Sequence, residues 1–230
     1  MRESDENIMT MSILFLQRHL KSQWNVENRF SGWVDNPLSE EGISQGQDAA
    51  DLIKGIEFDK VYTSPLSRNK QTVLRLFRLA GKNYPIFKYM DGKMGKWGNM
   101  SGHENFTPVY VSEALNERYY GRLQGLNKSE TIEKYGQDKV HLWRRSYNVA
   151  PPGGESLKDV CKRTTPFFKK YVEKDLKDGK NILVVASHNS LRAIVKYIEN
   201  IPDDKIMEVE LPFGSLIKYE FENKEYKKFA

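Results

Sequence analysis

Two short stretches place a histidine where an apolar run stops. FLQRH (15–19) ends in Arg18 and His19, and VVASHNS (184–190) carries Ser187 and His188 at the corresponding point. In open α/β sheets, ligands bind just beyond the carboxyl ends of the strands. Asn189 and Ser190 can cap the helix that follows, leaving backbone N–H groups for an anion. A third strand end, TSPLSR (63–68), puts Arg68 in a first helical turn. The helix dipole disfavours a cation there, and an anion held nearby would offset the misplaced charge. LNERYYGRLQGLNK (115–128) sets Glu117 between Asn116 and Arg118. A carboxyl group among cations can both give and take a proton. Two imidazoles, several guanidinium groups and one carboxylate describe a pocket for a small anion, with nucleophilic and acid–base capacity.

The rest of the composition narrows the partner. The net charge of +5 and pI near 9.0 suit nucleic acid or a small acidic ligand equally. The Lys-rich runs KKYVEKDLKDGK and NKEYKKFA interleave with Glu and Asp and read as solvated faces. Arg18, Arg68, Arg144, Arg145 and Arg192 sit instead at segment ends and turns, which focuses charge on one pocket. There is no basic–aromatic stripe for nucleic acid, no apolar run near the ~18 residues of a membrane span, and no Cys/His cluster with metal-ligand spacing. The single Cys161 excludes an internal disulfide and fits a reducing, cytoplasmic setting.

A chain of 230 residues suits one domain. Apolar, β-rich segments at 12–17, 60–63, 85–89, 181–186 and 215–221 read as strands. Helices are expected at 39–54 behind Ser39, at 67–79 before Gly81, and at 128–147 behind the capping box Asn127-Lys128-Ser129-Glu130. A long helix at 156–176 should kink or split at Pro166. NSLRAIVKYIEN forms another helix, and PDDKIMEV a short one. Strands alternating with helices predict a single three-layer α/β/α domain with a mainly parallel central sheet, spanning 12–222. The mixed, acidic 1–11 reads as a disordered lead, the glycine-rich 90–106 as an inserted loop or hairpin, and 223–230 as a flexible tail.

Four blocks, SQWNVENRFSGWVDNPLSEEG, ALNERYYGRLQGLNK, VHLWRRSYNVAPPGGESLKD and NSLRAIVKYIEN, carry a resemblance. From about residue 13 to 221 the chain resembles the 2,3-bisphosphoglycerate-dependent phosphoglycerate mutases of the histidine phosphatase superfamily. The resemblance implies interconversion of 3- and 2-phosphoglycerate through a phosphohistidine at His19. It implies priming by 2,3-bisphosphoglycerate, with no metal. Arg18, Arg68 and His188 would surround the phosphoryl group, and Glu117 would be the general acid/base. Asn25, Ser31, Gly32, Tyr120, Lys128, Arg144 and Arg145 would contact the phosphoglycerate, with Ser22 and Asn189 beside them. A cytoplasmic homodimer or tetramer with no nucleic-acid or membrane partner is implied as well. The competing expectations are a histidine-type phosphomonoesterase and a catalytically silent anion-binding relative.

The chain departs from the family pattern twice. Arg-His-Gly-Glu-Ser reads Arg18-His19-Leu20-Lys21-Ser22, so Leu20 requires an ordinary backbone path. Lys21 can reach the anion or point to solvent. His-Gly-Asn-Ser-Leu-Arg reads Ser187-His188-Asn189-Ser190-Leu191-Arg192. Either the glycine is deleted or Ser187 takes the place of the histidine; both registers keep one imidazole near the phosphate.

Overall fold

The computed structural model of the protein describes residues 11–98 and 106–229. Its strands are β1 (Ser12–Arg18), β2 (Lys60–Thr63), β3 (Tyr84–Tyr89), β4 (Phe106–Val111), β5 (Ile182–Ala186), β6 (Leu216–Glu222) and β7 (Glu225–Lys228). They form one sheet in the order β3-β4-β2-β5-β1-β6-β7. The first five positions are mutually parallel; β6 runs antiparallel to β1, and β7 antiparallel to β6.

The helices are α1 (Gln23–Val26), α2 (Glu40–Ser44), α3 (Gly46–Asp51), α4 (Ser67–Leu79), α5 (Gly92–Trp97), α6 (Lys128–Tyr135), α7 (Gln137–Arg145), α8 (Leu157–Phe167), α9 (Glu173–Lys177) and α10 (His188–Ile198). None of those described is long and apolar enough to cross a membrane.

The period-2 alternation of the central strands decides which helices cover which face. Leu14, Leu16, Ile182 and Val184 pack against Phe167, Phe168 and Val172 of the 157–177 helical run and against Leu191, Ile194 and Val195 of α10. Phe15, Val61, Leu183 and Val185 face the other way and meet Val73 and Phe77 of α4. The three-layer α/β/α arrangement with a mostly parallel sheet is as the alternation predicts.

Several boundaries differ from the sequence reading. The expected 39–54 helix divides at Gln45, where ψ is −3°, and Gly46 admits the Arg75 side chain to close contact. The expected 128–147 helix divides at Gly136, whose φ of +87° breaks the α path. At Pro166, where a kink or split was expected, regular α8 ends one residue later at Phe167 and widens into a π turn (Phe168–Val172) before α9. The inserted 90–106 segment contains α5, preceded by Asp91, whose carboxylate accepts from the Glu113 N–H at 2.9 Å, where a loop or hairpin was expected; 99–105 lie outside the described residues, as does the lead at 1–10.

Within the flexible tail expected at 223–230, residues 225–228 instead form the hairpin strand β7. Asn223 and Lys224 both take positive φ, +55° and +64°, as a two-residue turn between antiparallel strands requires. Tyr226 then packs on Phe221 with ring centroids 4.8 Å apart, which fastens β7 to the domain.

Candidate active site

β5 lies between β1 and β2, with Arg18 opposite Ala186 and Thr63 opposite Val185. Three carboxyl ends are therefore side by side, and they deliver His19, His188 and Arg68 to one place. The cavity they open into holds about 250 Å³ and is lined by every predicted site residue except Ser22.

The His19 backbone N–H extends the ladder by donating to the Ala186 carbonyl at 3.1 Å. Its ring Nδ1 lies 2.6 Å from the Leu20 carbonyl oxygen. A carbonyl only accepts, so the proton is on Nδ1 and the lone pair is on Nε2. Burial, with Arg68 and Arg18 close by, pushes the His19 pKa well below the usual imidazole range. The side chain is thus a neutral base with a defined nucleophilic nitrogen.

Leu20 has an ordinary negative φ and is 2% exposed, packed with Ala49, Ala50, Ile53 and Leu76. Its N–H donates to Thr72 Oγ1 at 3.1 Å and is not left for an anion. Lys21 turns away from the cavity and pairs with Glu41 at 2.7 Å. The unusual Leu-Lys pair therefore anchors the loop, Lys21 to α2 and Leu20 to α3 and α4, rather than lining the cavity. Leu20→Ala is expected to lower stability by about 2–5 kcal/mol, as for other buried leucines, with KM near the wild-type value. Urea unfolding and steady-state kinetics check both halves of that expectation.

Arg18 stacks on the Phe213 ring, 3.7 Å from its centroid, and donates to the Leu211 carbonyl. Arg68, 1% exposed, donates to the carbonyls of Gly32 at 2.7 Å and Val34 at 3.1 Å. Burial lowers both guanidinium pKa values to about 10, with Glu117 opposing, and both remain charged at neutral pH. Gly32 takes a φ of +52°, and a side chain there would run into Gln124.

Glu117, 7% exposed, accepts from the Arg118 N–H and from Asn189 Nδ2, each at 2.6 Å. Burial alone would raise its pKa. His188, the Asn189 amide, the Arg118 N–H and Arg68 outweigh that and hold it below the usual carboxylate value. The Asn189 amide cannot flip, because its Oδ1 accepts from Arg192 Nη1 at 3.0 Å and Arg118 Nη2 at 3.2 Å. Arg163 fixes the backbone behind Glu117, donating to the carbonyls of Ala114, Asn116 and Glu117 while paired with Glu155.

Ser187 is fully buried and accepts from Asn69 at 3.2 Å, whereas His188 lines the cavity, as either register of the second-histidine loop allows. Burial and Arg18 push His188 down to about 4, against the raising influence of Glu210. Lys128, Arg144 and Arg145 line the same cavity. Burial, with Arg144 and Arg18 nearby, lowers the Lys128 pKa to about 8.

Ser22 is the exception among the expected contacts. Its N–H and hydroxyl donate to Asn25 Oδ1 at 3.1 and 2.8 Å, so Ser22 aims the Asn25 amide nitrogen and does not itself line the cavity.

Arg29, Phe30, Glu210 and Phe213 also line the cavity and were not anticipated. For Glu210 and Phe213 the missing information was topological. β6 runs antiparallel beside β1, so the segment entering β6 lies at the carboxyl end of β1. Pro212, Phe213 and Gly214 form the tight approach, and the Gly214 N–H reaches the His19 carbonyl at 3.4 Å.

The family model "Histidine phosphatase superfamily (branch 1)" matches residues 14–105 and 98–228. A 2,3-bisphosphoglycerate-dependent phosphoglycerate mutase of Methanococcus vannielii is 43% identical, covering 96% of this chain and 95% of that one. The protein of the same description from Chlamydia pneumoniae is 41% identical over 95% of this chain and 97% of its own. Among solved structures, an α-ribazole phosphatase from Shigella flexneri superposes with a TM-score of 0.72 at 20% identity, covering 95% of each chain, a likeness of fold alone. Strand-end histidines, cation arrangement and sequence agree, and the chain belongs to the histidine phosphatase superfamily, within the family of the 2,3-bisphosphoglycerate-dependent phosphoglycerate mutases.

Proposed function

We propose that the chain interconverts 3-phosphoglycerate and 2-phosphoglycerate, with His19 Nε2 carrying the phosphoryl group and 2,3-bisphosphoglycerate supplying the first one. The observation that carries this reading is the number of cations gathered in one cavity. Arg18, Arg68, Lys128, Arg144 and Arg145 line it together with His19 and His188. A substrate with both a phosphate and a carboxylate calls for more cations than one phosphate alone. In this reading Arg18 and Arg68 take the phosphoryl group, and Lys128, Arg144 and Arg145 take the second anionic group.

The electrostatics give the order of proton transfers. With the phosphoryl group on His19, Glu117 begins as a carboxylate, so it acts first as a base. It takes the proton of the substrate 2-hydroxyl as that oxygen bonds to phosphorus and the Nε2–P bond breaks. Glu117 then returns the proton to the 3-oxygen as its bond to phosphorus breaks and Nε2 bonds to that phosphorus. Arg18 and Arg68 are placed to stabilise charge on the transferring group throughout, where positioning and electrostatics carry most phosphoryl-transfer catalysis. Lys128, Arg144 and Arg145 hold the intermediate between its two transfers. The reading includes a cytoplasmic homodimer or tetramer.

A coupled assay of 3- to 2-phosphoglycerate conversion, run with and without the bisphosphate, tests the proposal. Conversion that depends on the bisphosphate is the expected result. Phosphate release outpacing conversion would replace the mutase reading with a phosphomonoesterase.

A further inference from the structure

One side chain in this cation-lined cavity has the wrong sign for holding an anion. Glu210 stands on the segment leading into β6, and its carboxylate spans Arg145 and His188. Oε1 contacts Arg145 Nη2, and Oε2 lies 3.5 Å from His188 Nε2. The cavity's other described carboxylate, Glu117, is enclosed by hydrogen-bond donors at 7% exposure. The Glu210 side chain is 57% exposed and rests against His188 and against Arg145, one of the cations that would take a substrate's second anionic group.

Neither partner of Glu210 is fully satisfied by this contact. Arg145 Nη1 is buried without a hydrogen-bond partner, and so is His188 Nε2. An ion pair this open to water adds little net free energy, and an incoming anion can displace it. His188, then Arg145, pull the Glu210 pKa down to about 2, against burial, so the carboxylate stays charged at every working pH.

We infer that Glu210 is a specificity-determining residue: its carboxylate competes with the second anionic group of a ligand for Arg145. The inference rests on the reading given above, in which Arg145 belongs to the cations that take a substrate's second anionic group. Ligands that offer one phosphate alone engage Arg18, Arg68 and His19 and avoid most of this competition. Ligands that offer a phosphate and a carboxylate must move Glu210 aside before Arg145 can bind them. Glu210 thereby weakens the hold on two-anion ligands and speeds their release.

Glu210→Gln keeps the shape and removes the charge, and the exposure of the side chain makes it a mild change to folding. Binding of 3-phosphoglycerate and of inorganic phosphate is measured by calorimetry for the wild type, Glu210→Gln and Glu210→Ala. Both variants are expected to bind 3-phosphoglycerate about tenfold more tightly, as for the release of one charge-paired guanidinium, with inorganic phosphate changing less than about threefold. Unchanged or weaker 3-phosphoglycerate binding would overturn the inference and make Glu210 a positioning residue for Arg145. Equal tightening of both ligands would overturn it too, since the effect would then be a general change of potential. A wild-type chain that binds inorganic phosphate but not 3-phosphoglycerate would overturn the two-anion substrate reading itself, a failure distinct from a null effect of the variants.

Discussion

Replacing His19 by Ala is expected to abolish the acid-labile phosphate that 2,3-bisphosphoglycerate leaves on the chain. It should also lower kcat by about 10⁴-fold or more, as removal of a covalent nucleophile does elsewhere. The expectation rests on a single nitrogen. Nδ1 is committed to the Leu20 carbonyl at 2.6 Å, which leaves Nε2 as the lone pair facing the cavity. No other imidazole in the cavity is held this way, since His188 Nε2 has only Glu210 at 3.5 Å beside it. His188→Ala should therefore retain the label while slowing its transfer. Because His19 is 3% exposed, His19→Asn serves as a second variant that keeps a polar side chain at the site. Labelling that survives in both His19 variants would remove His19 from the mechanism. The pH dependence follows from the same environment. Burial, Arg68 and Arg18 lower the His19 pKa well below 6.5, so the neutral form prevails above that depressed value. The labelling rate should show no loss attributable to imidazole protonation as pH falls from 8 through 6.5.

Much of this site was legible in the sequence because strand ends are easy to find. An apolar run that stops at Arg-His or Ser-His marks both the end of a strand and the residue presented there. β2 and α4 have the boundaries the pattern predicts, and those boundaries suffice to bring Arg68 to the site. Pairings between segments distant in sequence were harder to read. β7 follows an Asn-Lys turn without the usual glycine, and only its pairing with β6 makes it a strand. Glu210 and Phe213 reach the cavity because β6 is antiparallel to β1, a relation that periodicity within one segment does not carry. Leu20 was ambiguous for a related reason. Its role depends on Thr72 and the α3–α4 core, which lie far along the chain and receive its N–H and side chain.

The Glu117 carboxylate can be separated from the nucleophile by what each variant loses. Glu117→Gln is expected to lower kcat by about 10²- to 10⁴-fold, the usual contribution of a general acid/base, with KM changed less than about threefold. Gln preserves an acceptor for the Arg118 N–H and Asn189 Nδ2, so the turn and the Asn189 amide should stay in place. It cannot accept the proton of the attacking hydroxyl. Unlike the His19 variants, Glu117→Gln should still acquire the phosphohistidine label to full occupancy, only more slowly, because Nε2 and its cations are untouched. A KM raised more than about tenfold with kcat preserved would make Glu117 a binding group instead. Acidity gives an independent check. A carboxylate held below its ordinary value is a competent base at any pH above that value and loses the function only as pH falls through it. The wild-type kcat/KM profile should consequently show no acid limb from Glu117 above pH of about 5. Asn189→Ala removes one of the groups that depress the Glu117 pKa, and it frees the Arg118 and Arg192 guanidinium groups that hold the amide. The acid limb should move upward in that variant. A limb that stays fixed there would mean that Asn189 positions Glu117 without tuning it, and the proton assignment would then rest on the kcat loss of Glu117→Gln.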